Sequence, residues 1–264
     1  MRAMTKRILS PLALLAALLL TLSACGSSGG ETKGGGKLIQ SGTLTVCSDV
    51  PYAPFEEFDK SAPSGFKGFD IDIVQRIADD LNLKLKVKDS SFDALQSGLA
   101  LNSGDCDIVA SAMTITPERA KKLTFSEPYY ASKQSLLVPK GSPIKSINDL
   151  KGKKVGVQKG TTGKDYATEH AKGATIIDFP SDGEMWQAIQ GGSVDALLQD
   201  LPVNLTHTKD GKFVIVETFD TGENYGLAMK KDNKELVKEV NAILLKMRSD
   251  GSYQTSYDKY FATN

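Results

Sequence analysis

Arg119 stands in a run from Ser111 to Tyr130, SAMTITPERAKKLTFSEPYY, whose spacing suits the capture of a carboxylate. Thr116 can cap a helix, Pro117 takes its first position and Glu118 its first turn. The arginine is thereby predicted three residues after a helix start, on a rigid support. Just upstream, Asp107 to Ser111 is a short apolar run that empties into Ser111, Ala112 and Thr114. That is the pattern of a buried strand opening at its carboxyl end into a polar cleft. A guanidinium beside exposed strand-end amides is a carboxylate receptor. Taken alone, the same run would also describe a surface helix with a solvated arginine.

Other strand ends carry polar groups of the same kind. Gly156 to Gly163, GVQKGTTG, joins a strand to a helix start, where unpaired N–H groups and the helix dipole favour an anion. It is not a phosphate-cradling loop, because Gln158 stands where a glycine is required and Asp165 follows Lys164 in place of Ser or Thr. Asp195 to Asp200, DALLQD, ends a strand in an acid just before Pro202, so Asp200 suits either a helix cap or the partner of a cation. Enzymatic signatures are missing: there is no Cys-x-x-Cys, His-Glu-x-x-His or Gly-x-Ser-x-Gly, and His170 and His207 fall on predicted helices with no nucleophile motif nearby. Neither a catalytic residue, a metal nor a cofactor is expected.

The elements that must hold these groups alternate along the chain. Strands are predicted at Leu44 to Ser48, Lys84 to Lys88 and Cys106 to Ser111, with helices at Asp70 to Leu81 and Phe92 to Leu101. This is a βαβαβ unit on a parallel sheet. A second unit follows, with strands at Lys154 to Gln158, Thr175 to Asp178, Val194 to Leu198 and Phe213 to Val216, and helices near Gly163 to Ala171, Asp182 to Gln190 and Pro202 to Thr208. A strand at Tyr225 to Met229 and a helix from Asn233 to Arg248 then return to the first unit. Ala131 to Ser135 and Gly222 to Gly226 are the predicted crossings, acting as a hinge. The expectation is an α/β clamshell of two lobes, 38–131 with 226–264 and 132–225, with a ligand between the strand ends.

The N-terminus has a basic start at Arg2, Lys6 and Arg7, an apolar run from Pro11 to Leu20, and the small-residue site Leu22-Ser23-Ala24-Cys25. Residues 1–24 read as a secretory signal, too short for a comfortable membrane span. The ending resembles the lipobox of bacterial lipoproteins, which implies a lipid on Cys25 and an extracytoplasmic location at the cell membrane. GSSGGETKGGGK follows without an apolar residue, and residues 25–37 are expected to be a flexible tether reaching on the order of 20 Å. The whole chain balances 32 basic against 32 acidic residues, and from Cys25 onward 29 against 32, which leaves nothing basic enough for nucleic acid. Cys47 and Cys106, placed toward opposite ends of neighbouring strands, are expected to be reduced and buried.

The chain from about Gly42 to Phe261 resembles the polar-amino-acid-binding family of bacterial extracellular solute receptors, family 3. The resemblance rests on five motifs in order: Asp49 to Phe55 (DVPYAPF), Gly68 to Asp72 (GFDID), Ser91 to Leu95 (SFDAL), the Ser111 to Arg119 run, and Gly156 to Gly163. It implies the two-lobed clamshell of type II, with two crossing strands as hinge. It also implies that the run of Ser111, Ala112, Thr114 and Arg119, with Thr162, takes a ligand's α-carboxylate and that Asp200, together with acceptors near Ser111, takes its α-ammonium. Asp49 and Tyr52 would then face the side chain, with Phe92 as a second aromatic wall and Gln158 and Gln199 as further polar lining. Asp70 is expected to cap its helix. The implied protein is a monomeric receptor that hands an amino acid to an ABC importer permease. Asp49, unpaired once the α-groups are assigned, points to a basic side chain, with glutamine as the alternative. A cleft enzyme similar to cyclohexadienyl dehydratases, or a sensor ectodomain, are the competing readings.

Overall fold

Each of the two stretches of alternating strand and helix signals condenses around its own five-stranded sheet. The computed structural model describes residues 29–262. At its start, strands β1 (Gly30–Glu31) and β2 (Lys37–Leu38) pair antiparallel. Strand β3 (Thr43–Ser48) is buried at every residue and is followed by the small hairpin of β4 (Glu57–Phe58) and β5 (Phe66–Lys67). Helix α1 (Phe69–Asp80) puts Phe69, Ile73, Val74 and Ile77 into the core at helical spacing. Strand β6 (Lys84–Asp89) pairs parallel with β3. Two short helices, α2 (Phe92–Gln96) and α3 (Leu99–Asn102), replace the single expected one, because the chain turns at Gly98 with φ 81°. Strand β7 (Ile108–Val109), helix α4 (Pro117–Ala120) and strand β8 (Leu123–Phe125) complete this stretch.

The second sheet opens with β9 (Tyr130–Pro139), a ten-residue strand of which only the first part was expected. It continues through β10 (Lys154–Gln158), α5 (Thr162–His170), β11 (Thr175–Phe179), α6 (Asp182–Gln190), β12 (Ala196–Asp200), α7 (Leu201–His207) and β13 (Phe213–Tyr225). Its order is β11-β10-β12-β9-β13, with β10 parallel to both neighbours and β9 antiparallel to β12 and β13. Strand β14 (Ala228–Lys230) then slots between β7 and β8, giving the first sheet the order β6-β3-β7-β14-β8. Helix α8 (Lys234–Ser249) and helix α9 (Ser252–Phe261) close that lobe, and α9, which periodicity did not reveal, lays Tyr253, Tyr257 and Phe261 against Phe69. The result is a two-lobed α/β fold whose crossings run along β9 and β13, paired as far as Tyr130 and Tyr225.

Two expectations are corrected. Residues 29–37, expected within the tether, form a turn clamped on α8: Thr32 Oγ1 and the Gly34 N–H both donate to the Glu239 carboxylate, at 2.5 and 2.9 Å. The glycines serve close approach here, since a Cβ on Gly36 would sit 2.6 Å from Glu239 Oε2. The signal, Cys25 and the tether's first residues lie outside the described residues. Cys47 and Cys106 form a disulfide, with Cα atoms 5.8 Å apart. Cys47 is level with Val109 in the ladder, so a straight strand would put Cys106 about 10 Å further back. The chain instead bends at Asp107, whose carboxylate takes the N–H groups of Ile39 and Thr45, and Cys106 folds over Cys47.

Candidate functional site

A narrow cavity of about 10 Å³ lies where the carboxyl ends of the two sheets face each other. From the first lobe it is lined by Asp49 and Tyr52 beyond β3, Phe92 at the start of α2, Ser111, Ala112 and Thr114 beyond β7, and Arg119 on α4. From the second come Gln158 at the end of β10, Thr161 and Thr162 at the start of α5, and Asp200 at the end of β12. Of the residues expected from sequence to bind the ligand, Gln199 alone is not in the lining. Its amide nitrogen donates instead to Asp182 Oδ1 at 2.7 Å and Asn204 Oδ1 at 3.0 Å. His207 is also outside the cavity, bonded to Asp182 and stacked on Trp186.

Arg119 is placed by local structure. Thr116 caps α4 and accepts the Arg119 N–H at 3.2 Å. The guanidinium, 5% exposed, donates through Nη1 to Thr114 O at 2.7 Å and through Nη2 to Gly160 O at 3.0 Å in the other lobe. It lies 5.1 Å above the centroid of Phe92, so that ring supports the arginine as well as bordering the cavity. Burial pulls its pKa down, while Asp200 and Glu223 act to raise it. The fork retains N–H groups for an anion.

The turn that faces it is braced from beneath. Ser111 Oγ accepts the Asp49 N–H at 3.0 Å and donates to Glu56 Oε1 at 2.7 Å. Asp70 Oδ2 accepts both the Ala112 N–H and the Tyr129 hydroxyl at 2.8 Å. Asp70 is thus no helix cap: Gly68 holds that position, and the fully buried carboxylate supports Ala112, which sits at φ 43°. Glu56 Oε2 and Asp70 Oδ1 have no hydrogen-bond partner among the described residues. Burial pushes Asp70 up to about 7, against the hydrogen bonds from Ala112 and Tyr129, and burial together with the neighbouring Asp70 holds Glu56 well above the usual carboxylate range.

Two further acids reach the cavity itself. Asp200 makes no side-chain cap bond to α7. Its carboxylate accepts the hydroxyls of Tyr52 at 2.8 Å and Tyr225 at 2.5 Å and the Gln134 amide at 2.5 Å, and burial raises its pKa to about 7. Asp49, 5% exposed, is likewise raised by burial to about 7, against the lowering effect of the Gln158 amide that donates to it at 2.5 Å. Lys159 turns away from the cavity to an exposed ion pair with Asp93, 2.9 Å apart. Arg119 is therefore the cation in the lining, facing Asp49 and Asp200. Such a site can hold a zwitterion and has negative charge to spare.

Sequence reasoning missed Glu56, Asp70 as a brace, Thr161 and Glu223. Glu223 sits in the polar stretch FDTGEN, where nothing local distinguishes it from a loop acid. Only the pairing of β13 with β9 brings it beside the cleft.

The family model for bacterial extracellular solute-binding proteins, family 3, matches residues 44–263. A probable histidine-binding protein of Neisseria gonorrhoeae is 36% identical over 95% of this chain and 94% of its own length. The ABC transporter glutamine-binding protein GlnH of Bacillus subtilis (strain 168) is 36% identical over 91% of this chain and 92% of its own. Among solved structures, an ancestral arginine-binding protein bound to glutamine superposes with a TM-score of 0.78 at 40% identity, covering 84% of this chain and 99% of that one. The chain is a member of family 3 of the bacterial extracellular solute-binding proteins.

Proposed function

We propose that the protein is a lipid-anchored, extracytoplasmic receptor that closes its two lobes on a single L-amino acid and passes it to an ABC importer permease. The observation that carries this reading is the placement of Arg119 and Asp200 on opposite lobes of one cavity, at a separation that interlobe closure sets. A ligand with both an α-carboxylate and an α-ammonium pairs with both only when the lobes are together, so the ligand's own charges drive closure. Relatives named for histidine, glutamine and arginine support an amino acid as the cargo. The anchor at Cys25 rests on the signal-like N-terminus.

The side-chain end favours a cation. Once Arg119 and Asp200 are assigned, Asp49 is left with an amide as its side-chain partner, in a setting where burial disfavours its charge. A guanidinium or ammonium from arginine or lysine relieves that cost, and glutamine, which can donate its carboxamide N–H to Asp49, ranks next. Glutamate and aspartate come last, since Lys159 is engaged with Asp93. Calorimetric titration against the common amino acids tests the reading. Arginine or lysine is expected to bind most tightly, and a preference for glutamate would show that the pocket has been misassigned.

A further inference from the structure

Glu223 lies on β13 at the return crossing, 9% exposed, with both carboxylate oxygens committed. Oε2 accepts the hydroxyl protons of Thr114 at 2.7 Å and Thr162 at 2.8 Å. Oε1 accepts the Thr221 hydroxyl at 2.8 Å and the Gln134 amide at 3.1 Å. Thr114 belongs to the strand-end turn of the first lobe and Thr162 opens α5 in the second. One carboxylate, carried on a crossing strand, therefore ties the two faces of the cavity together.

A threonine hydroxyl has a single proton. Given to Glu223, that proton is not available to a bound carboxylate, and each hydroxyl presents only lone pairs to the cavity. Resting on the amino-acid reading above, we infer that Glu223 is a positioning residue, which holds Thr114 and Thr162 across the closed cleft and leaves the ligand's carboxylate to Arg119 and backbone N–H groups. The bonds form a closed circuit. Thr114, fixed by Glu223 through its hydroxyl, accepts Arg119 Nη1 through its carbonyl, and Arg119 Nη2 reaches Gly160 O, two residues before Thr162. Displacing any one of these contacts loosens the others, because they share the same two faces.

A double-mutant cycle between Glu223→Ala and Thr162→Val tests this, with arginine titrated into the purified protein by calorimetry. Thr162→Val is expected to weaken binding several-fold and Glu223→Ala about tenfold, and the pair by no more than Glu223→Ala alone, since the bond lost in Thr162→Val is one of those lost in Glu223→Ala. Losses that multiply in the double variant would mean that the Thr162 hydroxyl serves the ligand by itself, and would overturn the assignment. Glu223→Gln retains an acceptor oxygen for the hydroxyls and should recover part of the affinity; behaviour no better than Glu223→Ala sinks the bond-based role. Small-angle X-ray scattering with saturating arginine should give a larger radius of gyration for Glu223→Ala and for Thr162→Val than for the parent, and identical profiles overturn the inference. If the parent fails to bind arginine, the ligand reading falls, while the same scattering comparison with saturating histidine or glutamine, the amino acids for which relatives are named, still decides the role of Glu223.

Discussion

The two faces of the cleft are built differently. The first lobe's face is braced from within: Glu56 and Asp70 hold the Ser111–Ala112 turn, Thr116 caps the helix of Arg119, and the Cys47–Cys106 disulfide ties β3 to the chain entering β7. The second lobe's face has internal support, from Gln134 on Asp200 and from the Thr161 cap of α5, but its ligand-facing groups also take partners across the gap. Asp200 accepts from Tyr52, Gln158 donates to Asp49, and Gly160 O accepts from Arg119. One face is thus a preformed half-site and the other is completed by closure. Substitutions in the braces should cost stability, whereas those in the second face should cost affinity and leave the fold intact.

The largest effect is expected from the two cleft charges. Arg119→Ala and Asp200→Ala should each weaken arginine binding by about 3–5 kcal/mol, because each leaves a desolvated ligand charge without its partner. Near-parental affinity in calorimetry would remove that residue from the site. The comparison of faces adds that Asp200→Asn should leave the urea midpoint unchanged or raise it, since burial already works against the Asp200 charge.

Loss of the disulfide comes next. Replacing Cys47 and Cys106 with alanine should lower stability by about 2–4 kcal/mol, given the 59-residue separation between them. Thiol titration of the denatured, unreduced protein should find neither cysteine reactive. A smaller cost follows for the brace: Asp70→Ala strands the Ala112 N–H and the Tyr129 hydroxyl in the core, worth about 1–3 kcal/mol in urea unfolding. If Asp70→Ala instead left stability intact while abolishing binding, the division between the faces would fail.

The mildest prediction concerns pH. Asp49 and Asp200, raised to about 7, hold protons in the folded protein at pH values where the unfolded chain has released them. The folded state then binds more protons, so their contribution to stability is present at low pH and is lost as pH rises through about 7. Thermal scans without amino acid should give a lower midpoint at about pH 8 than at about pH 6. Arginine binding should show the opposite trend, tightening as pH rises toward neutrality by up to about tenfold per unit for each of the two acids that ionises. Asp49→Asn should flatten that dependence for arginine and penalise arginine far more than glutamine.

Much of this was legible locally. The Thr116 cap, the helical spacing of Ile71, Val74, Ile77 and Ala78 in α1, the β10 strand at Lys154 to Gln158 and the α6 helix at Asp182 to Gln190 all follow from neighbours within a few residues. The gathering of strand-end polar residues into one cleft follows from an alternating α/β pattern, because such folds bind at the carboxyl ends of their strands.

What the sequence determined, then, is the set of elements and the side chains at their ends, since caps, periodicity and turn chemistry are short-range properties. The tertiary structure alone decided which distant groups meet. The bend at Asp107 brings Cys106 onto Cys47, and the glycine cluster at 34–36 packs against Glu239 where it would otherwise read as free coil. Gln199 is drawn to Asp182 and Asn204, while Asp70 and Glu223 are turned toward the cleft. Each of these outcomes depends on strand register and on the packing of one element against another, and a buried polar group takes whichever partner that packing supplies.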